Sequence, residues 1–213
     1  MTHRTLPRPW PRLLALLLSA QLLASLSACG GGPRLPALAP GATVLAFGDS
    51  LTAGKGAKLG EDYPSQLAAL TGLTVVNAGV SGELSAAGRA RLPAVLANYH
   101  PDLVLLCHGG NDILRRNGGE QMRANLEAMV EAARAAGAEV VLLAVPTLGL
   151  GLRPHPAYAA LAKELDLVIE QRVLTDVLSD PTLKAGGVHP NAAGYAVIAD
   201  RLDALLRERG ALD

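Results

Sequence analysis

From residue 42 onward the chain alternates short apolar runs with stretches whose apolar positions recur at helical spacing. Residues 43–50, TVLAFGDS, read as a strand that runs into a turn. Residues 63–72, YPSQLAALTG, read as a helix stopped by Gly72, and 73–79, LTVVNAG, as a second strand. A helix is expected over 83–98, weakened in its second half by Pro93, which lacks a backbone donor. Residues 102–112, DLVLLCHGGND, form a third strand and its loop. The plainest helix is 120–136. Met122, Leu126, Met129, Val130 and Ala133 share one face, Arg123, Glu127, Glu131 and Arg134 the other, and Gly137 stops it. Residues 138–146, AEVVLLAVP, are a fourth, almost wholly apolar strand. A helix lies within 155–171, and a weak last strand is expected near 172–175. The final helix spans 191–208, with Asn191 as N-cap and Ile198, Leu202, Leu205 and Leu206 facing inward.

Strands that are apolar throughout, alternating with amphipathic helices, call for an α/β fold: a central parallel sheet of about five strands covered on both faces. In such sheets ligands bind at the carboxyl ends of the strands. The polar motifs of this chain follow strands one, two and three and precede the last helix, so four separate loops converge on one edge.

The first 28 residues have another character. His3, Arg4, Arg8 and Arg12 are not balanced by any acid, and LLALLLSAQLLASLSA follows at 13–28. A basic start, an apolar run and small residues before a cut make a signal peptide. Leu26-Ser27-Ala28-Cys29 resembles a bacterial lipobox, which implies cleavage before Cys29, acylation of that cysteine and a membrane anchor at the periplasmic face of the outer membrane. An ordinary secretory leader with a chance cysteine is the alternative. Residues 29–41 then read as a Gly/Pro-rich tether, and 42–213 as the one folded domain. The formal net charge is zero and no basic cluster occurs, which argues against nucleic acid as a partner. Cys107, the other of two cysteines, reads as a small core residue.

The candidate chemistry lies in four short stretches. FGDSLTAG, 47–54, places Ser50 in a glycine-flanked strand-to-helix turn, where a hydroxyl is exposed beside backbone N–H groups. In NAGVSGE, 77–83, Gly79 brings its N–H forward with no side chain in the way. In HGGNDI, 108–113, Asn111 carries an amide donor suited to an oxyanion, while His108 packs or bonds at the edge. In VHPNAAGY, 188–195, His189 precedes the last helix, and imidazole is the usual base for a serine. Each stretch alone is also an ordinary turn. Together, in this order and at these strand ends, Ser50, Gly79, Asn111 and His189 resemble the four blocks of the GDSL/SGNH hydrolases over about 43–207, in particular the bacterial arylesterase and thioesterase I/lysophospholipase branch.

The resemblance implies a three-layer α/β/α flavodoxin-like fold, no cofactor and no metal, and a small acyl ester or lipid as substrate. It implies Ser50 as nucleophile and His189 as base and then acid, with the Ser50 and Gly79 N–H groups and the Asn111 side chain as oxyanion hole. One position departs from the pattern. Where the family has Asp-x-x-His, this chain has Gly186-Gly187-Val188-His189. The acid of a triad holds the histidine tautomer and stabilises the imidazolium, and its disruption costs about 10⁴ in rate in a serine protease. A backbone carbonyl from 185–187 is the expected substitute, with Asp176 and Asp180 as lesser candidates. On that reading Gly186→Asp preserves or raises ester hydrolysis. The alternative function is an envelope lipoprotein that binds acylated ligands with little or no turnover.

Overall fold

In a computed structural model of the chain, residues 2, 32–117, 119–147, 149 and 151–213 are described. Apart from Thr2, the leader and Cys29 lie outside them. Residues 33–213 form a single compact unit. It opens with β1 (Thr43–Gly48), α1 (Tyr63–Thr71), β2 (Thr74–Gly79), α2 (Ser85–Tyr99) and β3 (Leu103–Cys107). A short helix α3 (Gly110–Leu114) follows, then α4 (Glu120–Ala135), β4 (Glu139–Leu143), β5 (Pro146–Thr147) and β6 (Arg153–Pro154). The chain closes with α5 (Pro156–Glu164), β7 (Val168–Glu170), α6 (Val173–Ser179), β8 (Lys184–Gly186), β9 (His189–Pro190) and α7 (Ala192–Arg209).

Five strands make a parallel sheet in the order β2-β1-β3-β4-β7. Helices α1, α6 and α7 pack together as one layer, and α2, α4 and α5 as the other. This is the α/β/α arrangement expected of the alternation. β1 and β3 are almost wholly buried, as strands covered on both faces must be. The register sets Gly48 beside both Gly79 and Cys107. The loops after β2, β1 and β3 therefore leave the sheet side by side.

Local chemistry accounts for most boundaries. Asp62 caps α1 by accepting from Ser65 N–H, with Pro64 in the first turn, and Gly72 closes it in the left-handed conformation. Asn191 caps α7 by accepting from Gly194 N–H. Helix α2 runs through Pro93 to Tyr99 without ending.

One expectation needed correction, the strand near 172–175. The last strand lies at 168–170, not 172–175, because Asp166 takes φ 49° and stops α5 early enough for LVIE to join the sheet. Residues 173–179 are helical: the Glu170 carboxylate accepts from the N–H groups of Arg172 and Val173 and so caps the first turn. The stretch before β1 runs beside the end of α7. Leu35 and Leu38 donate their N–H groups to Arg209 O and Ala211 O, both at 2.9 Å, and Leu35 is buried. Cys107 is a free, fully buried thiol, and burial pushes its pKa up.

Candidate active site

The turn after β1 is wound tightly. Ala53 N–H donates to Asp49 O at 3.0 Å and Lys55 N–H to Ser50 O at 3.1 Å. The Asp49 side chain is 1% exposed, and its Oδ1 accepts Leu51 N–H at 3.1 Å. Burial raises the Asp49 pKa, against the pull of its backbone hydrogen bonds. Asp49 is thus committed to building the turn. Among the described residues, the Ser50 N–H has no acceptor, and the Ser50 hydroxyl looks into a cleft.

His189 reaches that hydroxyl from the opposite side: Nε2 lies 3.0 Å from Ser50 Oγ. The histidine sits on the second strand of a small antiparallel hairpin in which Gly186 pairs with His189 and Lys184 with Pro190. Gly187 takes φ 53° at the first turn position, as type II′ hairpins require. Asn191 locks the hairpin from below. Its Nδ2 donates to Thr182 O at 2.8 Å and to Lys184 O at 3.3 Å, while Oδ1 caps α7. Tyr195 Oη donates to Lys55 O at 2.9 Å and ties α7 to the loop after Ser50. Burial, and then the charge of Lys55, lower the pKa of His189.

The expected orienting carbonyl is not found. Among the described residues, none accepts a hydrogen bond from His189 Nδ1, the backbone of 185–187 included. The aspartates are occupied elsewhere. Asp180 caps the turn at Pro181–Leu183 by accepting from Thr182 N–H and Oγ–H, which lowers its pKa, and Asp176 pairs with Arg172. Asp112 accepts from Ser85 N–H at 2.8 Å and Ser85 Oγ–H at 2.7 Å, and Asn125 Nδ2 donates to Ser85 Oγ. Ser85, Asp112 and Asn125 make a buried polar cluster apart from the Ser50–His189 pair.

Of the expected oxyanion donors, Asn111 lines the cleft with Ser50 and His189. Its Nδ2 donates to Glu83 O at 3.0 Å and has a longer contact of 3.4 Å to Asp49 Oδ2. Gly79 does not line the cleft, and its N–H donates to Asn77 Oδ1 at 3.0 Å. Its lack of a side chain has a plainer cause: a Cβ there would lie 2.1 Å from Ala53 N. His108 is fully buried, with Nε2 3.1 Å from a Glu83 carboxylate oxygen, the edge contact anticipated for it. The sequence alone did not single out Glu83 or Arg91. The one available signal was that Glu83 closes the NAGVSGE stretch as its single charged residue.

The cleft encloses about 400 Å³, a volume typical of small-molecule sites. Ile113, Leu114, Val145, Leu152, Leu178 and Val188 form apolar walls, and Ser50, Asn111 and His189 supply the polar patch.

Residues 46–197 match the GDSL-like Lipase/Acylhydrolase family, and the chain belongs to that family. It is 35% identical over 166 residues to the thioesterase 1/protease 1/lysophospholipase L1 of Escherichia coli (strain K12), covering 74% of this chain and 80% of that protein. It is 32% identical over 168 residues to an arylesterase of Vibrio mimicus, covering 74% and 84%. The crystal structure of TesA superposes with a TM-score of 0.69 at 32% identity, over 78% of this chain and 98% of that one. The protein is a serine hydrolase of the GDSL/SGNH type acting on ester bonds.

Gly186, where the family pattern has its acid, has φ 140° and open space where a Cβ would stand. An aspartate side chain has room there, but its backbone would be strained. Both Gly186→Ala and Gly186→Asp should therefore lower stability by about 1–3 kcal/mol, read as a shift in urea midpoint. An unchanged midpoint in both would show that the hairpin relaxes freely.

Proposed function

We propose that Ser50 attacks the ester carbonyl while His189 takes its proton, that the proton passes to the departing alcohol, and that water releases the acid from the acyl-serine by the reverse relay. The observation that carries this reading is the 3.0 Å contact between Ser50 Oγ and His189 Nε2 in a cleft also lined by Asn111. The oxyanion is received by the Ser50 N–H and by Asn111 Nδ2. Donors of this kind act where charge develops in the transition state. The apolar walls suit an aryl group or an acyl chain, and relatives named arylesterase and lysophospholipase support substrates of that class. The basic and apolar leader with Leu26-Ser27-Ala28-Cys29 supports an envelope enzyme anchored by lipid on Cys29 at the periplasmic face of the outer membrane.

Ser50→Ala should abolish p-nitrophenyl ester hydrolysis with the fold intact by circular dichroism, and Asn111→Ala should lower kcat by about 10²–10³. Residual turnover in Ser50→Ala equal to that of the intact chain would place the nucleophile elsewhere. The pH profile supplies a second test. His189 works as base only when neutral, so kcat/KM should fall as pH drops through its pKa. Because that pKa is lowered, the acid limb should have its midpoint below 6.5, and Lys55→Gln should move it up. A midpoint above 6.5 would contradict the site's electrostatics. For the anchor, radiolabelled palmitate should mark the full chain in a Gram-negative host and fail to mark Cys29→Ala; equal labelling of both would exclude this cysteine.

A further inference from the structure

Behind Asn111 lies a group of charged side chains that the relay above does not use. Glu83, on the loop between β2 and α2, has a side chain only 7% exposed. Arg91 Nε and Nη2 donate to its two carboxylate oxygens at 2.9 and 2.8 Å, a two-pronged pairing. His108 Nε2 is the third partner, at 3.1 Å. Gly109 N–H donates to His108 Nδ1 at 2.9 Å, so Nδ1 is the acceptor and Nε2 carries the proton given to Glu83. Burial pushes the Glu83 carboxyl up, but the Arg91 and His108 hydrogen bonds outweigh it, and its pKa lies below the ordinary value.

The same residue reaches the site through its backbone. Glu83 O accepts one N–H of the Asn111 amide at 3.0 Å. An amide has two such hydrogens in one plane. Fixing one fixes the direction of the other, whose remaining contact to Asp49 is long at 3.4 Å. Arg91 extends the hold to the sheet. Its Nη2 donates to Ala78 O at 3.0 Å, beside Gly79, and its guanidinium stands 4.2 Å above the Phe47 ring, three residues before Ser50. His108 is the first residue after β3. The ends of β1, β2 and β3 thus meet on one carboxylate and its partners. A buried ion pair is poor value for stability alone, since apolar packing serves as well. What apolar packing does not supply is a fixed direction for the carbonyl that aims Asn111.

We propose that Glu83, held by Arg91 and His108, is a positioning residue that sets the Asn111 amide for the oxyanion. The inference rests on the reading of Asn111 as an oxyanion donor. The test is a double-mutant cycle on p-nitrophenyl acetate with Glu83→Ala, Asn111→Ala and the pair. Glu83→Ala should lower kcat by up to about 10²-fold, the cost of a small misplacement, with KM little changed. Glu83→Gln, which keeps an oxygen acceptor for Arg91 and His108, should recover part of the loss. In the Asn111→Ala background, Glu83→Ala should cost almost nothing further. An equal cost in both backgrounds, or a loss confined to KM, overturns the proposal while leaving Asn111 in its role. No loss from Asn111→Ala alone overturns both. If Glu83→Ala does not fold, Glu83→Gln and His108→Leu are cycled against Asn111→Ala in its place and read by the same criterion.

Discussion

The site depends on how closely the turn after β1 approaches its neighbours. A Cβ on Gly48 would fall 2.1 Å from Cys107 O and 2.3 Å from Thr52 Oγ1, and one on Gly79 would fall 2.1 Å from Ala53 N. Two strand-ending positions are therefore reduced to bare backbone so that residues 49–53 lie against β2 and β3. The contact is then stitched by polar groups: Asn77 Nδ2 donates to Thr52 O at 2.9 Å, Val80 N–H to Gly48 O at 3.0 Å, and Thr52 Oγ1 lies 3.0 Å from Tyr63 Oη. With the turn pinned from both sides, Ser50 has one place to be. The cleft, the histidine approach and the amide of Asn111 are all built around that place.

The histidine side is held by a different means. In a triad the acid does two jobs, orienting the ring and stabilising its positive form. Here the chain that carries His189 is held in place by a hairpin and two side chains. The β8–β9 hairpin sets the chain direction at His189, Asn191 bonds both to the hairpin and to the first turn of α7, and Tyr195 anchors that helix to Lys55 O. The 3.0 Å approach of Nε2 to Ser50 is reached with no carboxylate on Nδ1 among the described residues. Among the described residues, the stabilising job has no such substitute. Burial and Lys55 both work against the imidazolium.

Periodicity and strand-end placement were enough to locate the sheet, four of its five strands, and three of the residues that line the cleft. Those signals are local or follow from topology. The fifth strand was misplaced because LDLVIE continues the apolar pattern of α5, and only the left-handed Asp166 separates them. Residues 173–179 are rich in β-branched side chains, and the cap that makes them helical comes from the Glu170 side chain just ahead. The same limit applies inside the site. Asp49 and Asp112 adjoin Ser50 and Asn111 in sequence, yet one turns inward to Leu51 and the other to Ser85. The partners of Glu83 lie 8 and 25 positions away, a pairing that no periodicity reveals.

On the proposed role of Asn111 as an oxyanion donor, a negative group behind it needs its own explanation, because a bare carboxylate there would repel the charge it is meant to help accommodate. Arg91 resolves this. Its guanidinium pairs both oxygens of Glu83, so the cluster presents a carbonyl dipole to Asn111 without a net negative charge behind it. The contrast with His189 is informative. Behind Asn111, the Glu83 carboxylate is paired with Arg91 while its backbone carbonyl fixes the direction of the amide. On the histidine side, no counter-charge stands among the described residues. On the proposed mechanism, transition-state stabilisation falls mainly on the carbonyl oxygen, and the histidine has to be neutral, close and correctly aimed. The lowered pKa of His189 serves the first of those needs, and the glycine hairpin and Asn191 serve the other two.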